Sequence, residues 1–397
     1  MLSRLKWLLS GIAAALVASG AILNIKPVYF GCKSEYPGIK NLPHRIHTLI
    51  SKDFSFKDPL LTLNGGFARV LCMRRCNDVY KLPNGHLIRP FPRSSQKWRA
   101  EKIASLSRAI SESGSKFVFV LFPNKIVCGE KMMPDGWAPG NDALYDNADE
   151  LVARLGELGV DVIDTRKAVC ATQAAINENF FKTDHHWNAI GAFRGFRFLT
   201  EELIYRLTGS GDLAATLPSL NLENWDKLGL NRRVPVFLGS NGRRTGPWFA
   251  GYDYNFVYIV PKFKQHYEHK FKSRGWQKLM VKKGSFVDTM VAEKVVGECG
   301  SCYKDMGYSV YYTDLAESSR HCADAPVRAR IMVVKDSYAI PVLAFMSTVF
   351  SDVFAIDLRY DPMGKVMNSA EEFRPDIVMM MYNPSSFLSE ENKLWIW

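Results

Sequence analysis

Beyond its N-terminus the sequence has no second uncharged apolar run long enough for a membrane helix, so a polytopic membrane protein is excluded. It has no internal repeat and no low-complexity stretch, which removes solenoids, repeat arrays and long flexible linkers. Histidine is scarce, with 8 in 397 residues, and only one motif places two side by side. A dedicated histidine-rich metal site would need a second such motif, and none is present. Hydrophobic residues at 47% and charged residues at 23% are ordinary for a globular chain, so disorder and fibrous architectures are excluded. Acidic residues are the minority sign: Lys+Arg 51 against Asp+Glu 40 leaves a net charge of +11. Such a surface favours anionic neighbours, whether nucleic acid, acidic polysaccharide or lipid headgroups.

What is present begins with Arg4 and Lys6, followed by the uncharged stretch Trp7–Ile25. Its length approaches the roughly 20 residues a helix needs to cross the hydrocarbon core and exceeds the usual signal-peptide core. Residues 1–30 are therefore expected to be an uncleaved signal anchor or, as the alternative, a signal peptide cut near Ala18-Ser19-Gly20. The basic flank stays in the cytoplasm. The bulk of the chain is then periplasmic or otherwise extracytoplasmic, held at the cytoplasmic membrane by residues 7–25. An exported chain seldom meets nucleic acid, so no nucleic-acid partner is expected. The 8 cysteines agree with export, and disulfides are expected among them. Cys72/Cys76 with Cys299/Cys302 could instead supply four thiolates to zinc.

Downstream, residues 94–122 read as a helix with Trp98, Ile103, Leu106 and Ile110 at helical spacing, then the apolar run FVFVLF. Residues 142–164 repeat helix then strand, and a third helix is expected over 166–178. ARIMVV (329–334), DVFAIDL (352–358) and DIVMMMY (376–382) are further short apolar runs. Strands buried on both faces have this composition, which predicts an α/β fold with a doubly wound, mostly parallel sheet. Residues 208–325 lack periodicity and read as an irregular insertion. Within them, 262–283 is dense in Lys and Arg with aromatics between. It reads first as a solvated hairpin and, as the alternative, as a surface for an anionic polymer.

Two motifs carry chemistry: Thr183-Asp184-His185-His186-Trp187-Asn188, and Lys335-Asp336-Ser337-Tyr338 directly after the strand IMVV. A serine just past a parallel strand lies at the carboxyl edge of the sheet, where open α/β sheets bind ligands. It needs a histidine base oriented by a carboxylate. Asp184 would orient His186, and His186 would take the proton of Ser337. Chain separation is no obstacle, since triads form by geometry. Asp184, His185 and His186 also offer three metal ligands, but adjacent histidines rarely point the same way, so no metal is expected and no cofactor is required. His185 alone reads as structural.

These motifs resemble those of the bacterial DHHW proteins and the SGNH-hydrolase-like alginate O-acetyltransferases. PNK (123–125), FKTDHHWN (181–188), FLGSNGRRTG (237–246), VVKDSYA (333–339), IDLRYD (356–361) and YNPSSF (382–387) all look like family blocks. The Asp/His block precedes the serine block, as in the rearranged order of the acetyltransferases. The resemblance implies an SGNH-hydrolase-like domain over 31–397, with the insertion at about 208–325. It implies Asn383 as an oxyanion donor and a polysaccharide O-acetyltransferase acting through acyl-Ser337. A membrane-bound O-acyltransferase would deliver the acetyl group. Arg359 would meet substrate or brace its loop, and Trp187 would stack on sugar or pack in the core. The basic segment points toward an acidic glycan. An acetylesterase with the same triad and a non-catalytic glycan-binding subunit remain the alternatives. Lys335 departs from the glycine that many SGNH enzymes carry before Asp-Ser.

Overall fold

The computed structural model describes residues 56–388, apart from 129, 131–142, 232–235, 274–278, 298, 305–306, 312–314 and 360–363. The expected membrane or signal helix at 7–25, and Cys32, lie outside the described residues.

An eight-stranded sheet forms the centre. Its strands, in chain order, are β1 (Lys116–Leu121), β2 (Val162–Asp164), β3 (Tyr267–Ser273), β4 (Met280–Gly284), β5 (Leu315–Cys322), β6 (Val327–Lys335), β7 (Phe350–Ile356) and β8 (Ile377–Tyr382). Across the sheet they run β2-β1-β8-β6-β7-β5-β3-β4. The first five in that order pair in parallel. The strands β5, β3 and β4 add on antiparallel. Alternate side chains feed opposite cores: Ile331 and Val333 enter one, Met332 and Val334 the other. Both faces are apolar because both are covered, which is why these strands read as unbroken hydrophobic runs.

Helices α2 (Lys97–Glu112), α3 (Leu144–Glu157) and α7 (Gly364–Phe373) share the second core; α4 (Ala189–Thr208) and α6 (Ala339–Met346) share the first. In α4, Asn188 caps the first turn by accepting from the Ile190 and Gly191 N–H groups, both at 3.0 Å. The left-handed Gly209 closes its other end. The helix α1 (Lys57–Val70) packs on α5 (Ser240–Thr245) through a small satellite core that includes Ala68, Val79 and Leu238.

Several expectations change. Segment 208–325 is no mere insertion: it supplies β3, β4 and β5, which extend the five parallel strands with three antiparallel ones. The helix expected over 166–178 is two, Arg166–Val169 and Gln173–Asn179. Cys170 leaves the helical region, and the Thr172 hydroxyl caps the second piece by accepting from Ala175 N–H at 3.1 Å. Trp98 is exposed; the buried stripe of α2 is Ala100, Ile103, Ala104, Leu106 and Ile110. The seven described cysteines are free thiols, so the expected disulfides do not form among them. Cys76 lies in the satellite core with Cys302 against it, Cys170 and Cys322 lie in the first core with Cys170 donating to the Asn124 carbonyl, and Cys72 is exposed. Nor do four thiols gather into a zinc site among the described residues. The basic segment 262–283 does contain the hairpin β3–β4, and Lys270 and Lys283 both hold Glu268, its one acidic residue.

Phe345 is fully buried where the rings of Phe196, Trp225 and Tyr311 meet, at centroid distances of 5.7, 5.1 and 5.2 Å. Phe345→Ala is expected to cost about 3–5 kcal/mol through lost transfer energy and the cavity left behind. Urea unfolding should show a lower midpoint with an unchanged slope.

Candidate active site

Ser337 stands two residues past the end of β6 and just before α6, at the carboxyl edge of the parallel strands. Its Oγ is 2.8 Å from His186 Nε2, and His186 Nδ1 is 2.6 Å from Asp184 Oδ1. The structure therefore brings Asp184, His186 and Ser337 into one hydrogen-bonded line. Ser337 N–H has no acceptor among the described residues.

Asp184 is buried to 2% exposure, and a buried carboxylate must be compensated. His186 N–H donates to it at 3.0 Å and Ser240 N–H at 2.6 Å, in addition to the imidazole. Burial alone would raise its pKa. The charges of His186 and His185 and the donated hydrogen bonds outweigh that and hold the carboxyl well below its ordinary range. Ser240 can approach because residue 239 is glycine: a Cβ there would lie 2.3 Å from the Asp184 side chain. The loop before Asp184 is fixed by Asp253, which accepts from Lys182 N–H, Thr183 N–H and the Thr183 hydroxyl. Tyr308 lies flat on the His186 ring, centroids 3.7 Å apart and 11° from parallel, and its hydroxyl donates to the Ser337 carbonyl.

The serine turn is braced from beneath. Asp336 is buried and accepts from Tyr338 N–H, Asn383 N–H and the Ser386 hydroxyl. Lys335 is buried with its Nζ 2.9 Å from Asp357, which Arg359 also clasps through two nitrogens. Burial pushes the Asp357 carboxyl up, but the two cations prevail and hold it at about 2. Lys335 thus contributes an ion pair that ties the serine strand to its neighbour β7.

Three expected roles are revised or divided. Asn383 does not aim its amide at the serine: it is fully buried, its Nδ2 donates to the Pro123 carbonyl, and its Oδ1 caps the helix α8 (Pro384–Leu388). Trp187 is no sugar platform. It is fully buried against Phe122 and donates to the Tyr338 carbonyl at 3.1 Å. Arg359 braces Asp357 and also lines the pocket beside Ser337.

That pocket encloses about 370 Å³. Arg89, Lys125, Arg244 and Arg359 line it, and among the described residues no carboxylate does. None of the described residues of the basic segment 262–283 lines it. Sequence reasoning missed Ser240, Asn124, Lys125, Asp253 and Tyr308, although the first three stand inside recognised blocks. Asn124 follows β1, lines the pocket, and accepts from Lys125 N–H through Oδ1. Lys125 is buried, donates to the Leu87 and Lys182 carbonyls, and is pushed down to about 8 by burial against the pull of Asp253 and Asp184.

Asp184, His185 and His186 are the one group among the described residues whose ligand atoms lie close enough to share a metal ion. The two rings do converge, against expectation, with centroids 3.7 Å apart. Yet Asp184 already accepts from His186 and Ser240, and both His186 nitrogens are engaged. A metal would have to dismantle the serine–histidine–carboxylate line.

Burial pushes His86 down to about 3. An unfolded chain binds a proton there near pH 6.5, whereas the folded chain does not until about pH 3. The unfolded state therefore holds more protons between those values, and stability is lost as pH falls below about 6.5. Urea midpoints are expected to drop between pH 7.5 and pH 5. Relative to the parent chain, His86→Leu should flatten part of that slope.

Comparison with known proteins follows this geometry. Residues 89–217 match the family model described as SGNH hydrolase-like domain, acetyltransferase AlgX. A DHHW family protein from Eubacterium siraeum superposes with a TM-score of 0.57 at 16% identity, covering 79% of this chain and 93% of that one. PatB1 from Bacillus cereus superposes with a TM-score of 0.59 at 19% identity, covering 79% and 98%. The same protein with a sulfonyl adduct gives 0.58 at 18% identity, covering 80% and 99%. At these identities the likeness is one of fold. No curated protein matches this chain in sequence. The resemblance to DHHW and alginate O-acetyltransferase-like proteins is therefore borne out, with residues 89–217 matching the SGNH hydrolase-like acetyltransferase domain.

Proposed function

We propose that the chain is a serine acyltransferase working outside the cytoplasm, which moves an acetyl group through Ser337 onto a hydroxyl of a polysaccharide. The single observation that carries this reading is the unbroken Ser337–His186–Asp184 line at 2.8 and 2.6 Å on the wall of an open pocket.

The chemistry proceeds in two halves. Ser337 Oγ attacks the acetyl carbonyl while His186 Nε2 takes its proton. Collapse of the tetrahedral intermediate breaks the bond to the donor's leaving group, which receives that proton. A sugar hydroxyl then gives its proton to His186 and attacks the acetyl ester. The second collapse returns the proton to Ser337 Oγ. Asp184 holds the imidazole in the tautomer with Nδ1 protonated and stabilises its cationic form. The oxyanion would be met by Ser337 N–H and Asn124 Nδ2. Asn383 serves indirectly, by holding the Pro123 carbonyl and with it the loop that carries Asn124.

Arg89, Lys125, Arg244 and Arg359 line the pocket, and although Asp78 pairs with Arg89 and Arg244 and Asp357 with Arg359, the excess of cations favours an acidic glycan as acceptor. A membrane-bound O-acyltransferase is the proposed acetyl donor, with the chain held at the cytoplasmic membrane through residues 7–25. Water at the same triad would make the chain an acetylesterase. The difference lies in what the pocket holds beside Ser337.

The test incubates the protein with p-nitrophenyl acetate and follows intact mass. A transient acetyl adduct is expected, absent in Ser337→Ala and in His186→Ala, and unaffected by a metal chelator. The PatB1 sulfonyl adduct suggests a sulfonyl fluoride as a second probe, which should block Ser337 and prevent acetylation. Asn124→Ala should slow turnover by about 10²–10³-fold, the usual effect of removing one oxyanion donor. Identical behaviour of the parent and Ser337→Ala would overturn the enzyme reading in favour of a glycan-binding subunit.

A further inference from the structure

The triad leaves His185 unused, yet His185 occupies a built position in the same pocket. Its Nδ1 is 2.6 Å from Ser240 Oγ and 3.3 Å from Asp184 Oδ1. Tyr338 pins its backbone by donating to the His185 carbonyl. The Ser240 backbone N–H is spent on Asp184, so Asp184 anchors two serine–histidine pairs: His186 with Ser337 and His185 with Ser240. Both serines and His185 line the pocket.

The tautomer of His185 follows from its partners. An ionised carboxylate 3.3 Å away disfavours a lone pair at Nδ1, so the proton sits on Nδ1 and is donated to Ser240 Oγ at 2.6 Å. Nε2 is then an acceptor. It has no protein partner among the described residues, while 39% of the side chain remains open. With its oxygen accepting from His185, the Ser240 O–H is free to donate. Partial burial and the charges of Lys125 and Arg89 outweigh the pull of Asp184 and lower the His185 pKa, which favours the neutral ring. The pair thus presents one acceptor and one donor to the pocket that holds Ser337.

On the acyl-transfer reading above, we propose that His185 and Ser240 form an acceptor subsite for a vicinal diol. His185 Nε2 accepts from, and Ser240 Oγ donates to, the hydroxyl neighbouring the one that attacks. The attacking hydroxyl gives its proton to His186 Nε2, the acetyl group passes from Ser337 Oγ to the sugar oxygen, and Ser337 Oγ regains the proton. A diol spans both histidines at once, whereas a water molecule or a lone alcohol engages one. The subsite therefore selects sugar over water at the second half of the reaction.

The test uses the full-length chain acylated with p-nitrophenyl acetate, with cis-1,2-cyclohexanediol or cyclohexanol as acceptor. Acetylated alcohol and free acetate are quantified, giving a transfer-to-hydrolysis ratio for each acceptor. The parent chain is expected to favour the diol over the single alcohol by about tenfold, the worth of one good hydrogen bond. Ser240→Ala and His185→Phe should bring that preference to near unity, and Ser240→Thr, which keeps the hydroxyl, should restore it. Ser240→Ala retains the backbone N–H to Asp184, so it tests the side chain even if His185→Phe misfolds. A purely structural role would lower transfer and hydrolysis together and leave the preference intact, and that result overturns the subsite. Absence of any Ser337-dependent adduct in the parent chain would overturn the acyl-transfer reading itself, and the subsite with it.

Discussion

A charged carboxylate with almost no access to water must be surrounded by donors, and at Asp184 those donors come from different parts of the chain. His186 supplies its backbone N–H and its ring from the same loop, while Ser240 supplies a backbone N–H from the start of α5. Asp253 ties in a third segment through Thr183, whose hydroxyl also accepts from Gly239 N–H at 2.8 Å. Ionic groups are costly to bury and costlier to leave unpaired. The requirement to satisfy Asp184 thus fixes the mutual position of three loops, and that position brings His186 to Ser337. Orientation of the base and assembly of the pocket wall are two results of one electrostatic constraint.

The serine side obeys the same logic with different residues. Asp336 is buried behind Ser337, and its donors come from Tyr338, Asn383 and Ser386. Lys335, Asp357 and Arg359 form an ion network at the carboxyl ends of β6 and β7. The parallel strands deliver these residues to one edge, because neighbouring strands that run the same way end side by side. The loops after β1, β6, β7 and β8 hold Asn124, Ser337, Arg359 and Ser385–Ser386, and all of them line one pocket.

Much of this was legible in the sequence, and the limits have physical causes. The five parallel strands stood out because burial on both faces leaves no polar alternation. Ser337, His186 and Asp184 stood out because nucleophile, base and orienting carboxylate are rare in such compact motifs. The hairpin β3–β4 was legible as a hairpin, but its place in the central sheet was not, because Tyr267–Ser273 alternates charged and apolar residues as a solvated hairpin does. Asn383 was assigned by its place after the last strand. Which direction an amide faces depends on the carbonyl it meets, and Pro123 is 260 residues away in the chain. Trp187 illustrates the same limit, since only the packing of Phe122 and Tyr338 shows that it is covered. The cysteines were misjudged because pairing requires proximity, which a count cannot supply.

The two adjacent histidines deserve different physical roles because the fold gives them different partners. Sequence alone treats His185 as the bystander of His186, since consecutive residues usually diverge. Here the rings lie 3.7 Å apart at a 38° tilt beside one carboxylate, yet their remaining bonds lead to different serines. His186 has its Nε2 on a serine at the mouth of α6 and is shielded to 8% side-chain exposure by Tyr308. His185 has its Nδ1 on the hydroxyl that opens α5 and remains partly open. A base that must take and return a proton benefits from a fixed, enclosed geometry. A group that must recognise an arriving hydroxyl needs a free lone pair facing the approach. One carboxylate can support both because its two oxygens accept on different sides: Oδ1 faces the imidazoles and Oδ2 the Ser240 backbone. Removal of Asp184 would therefore disturb the base and the recognition surface together, whereas changes at Ser240 Oγ reach only the second.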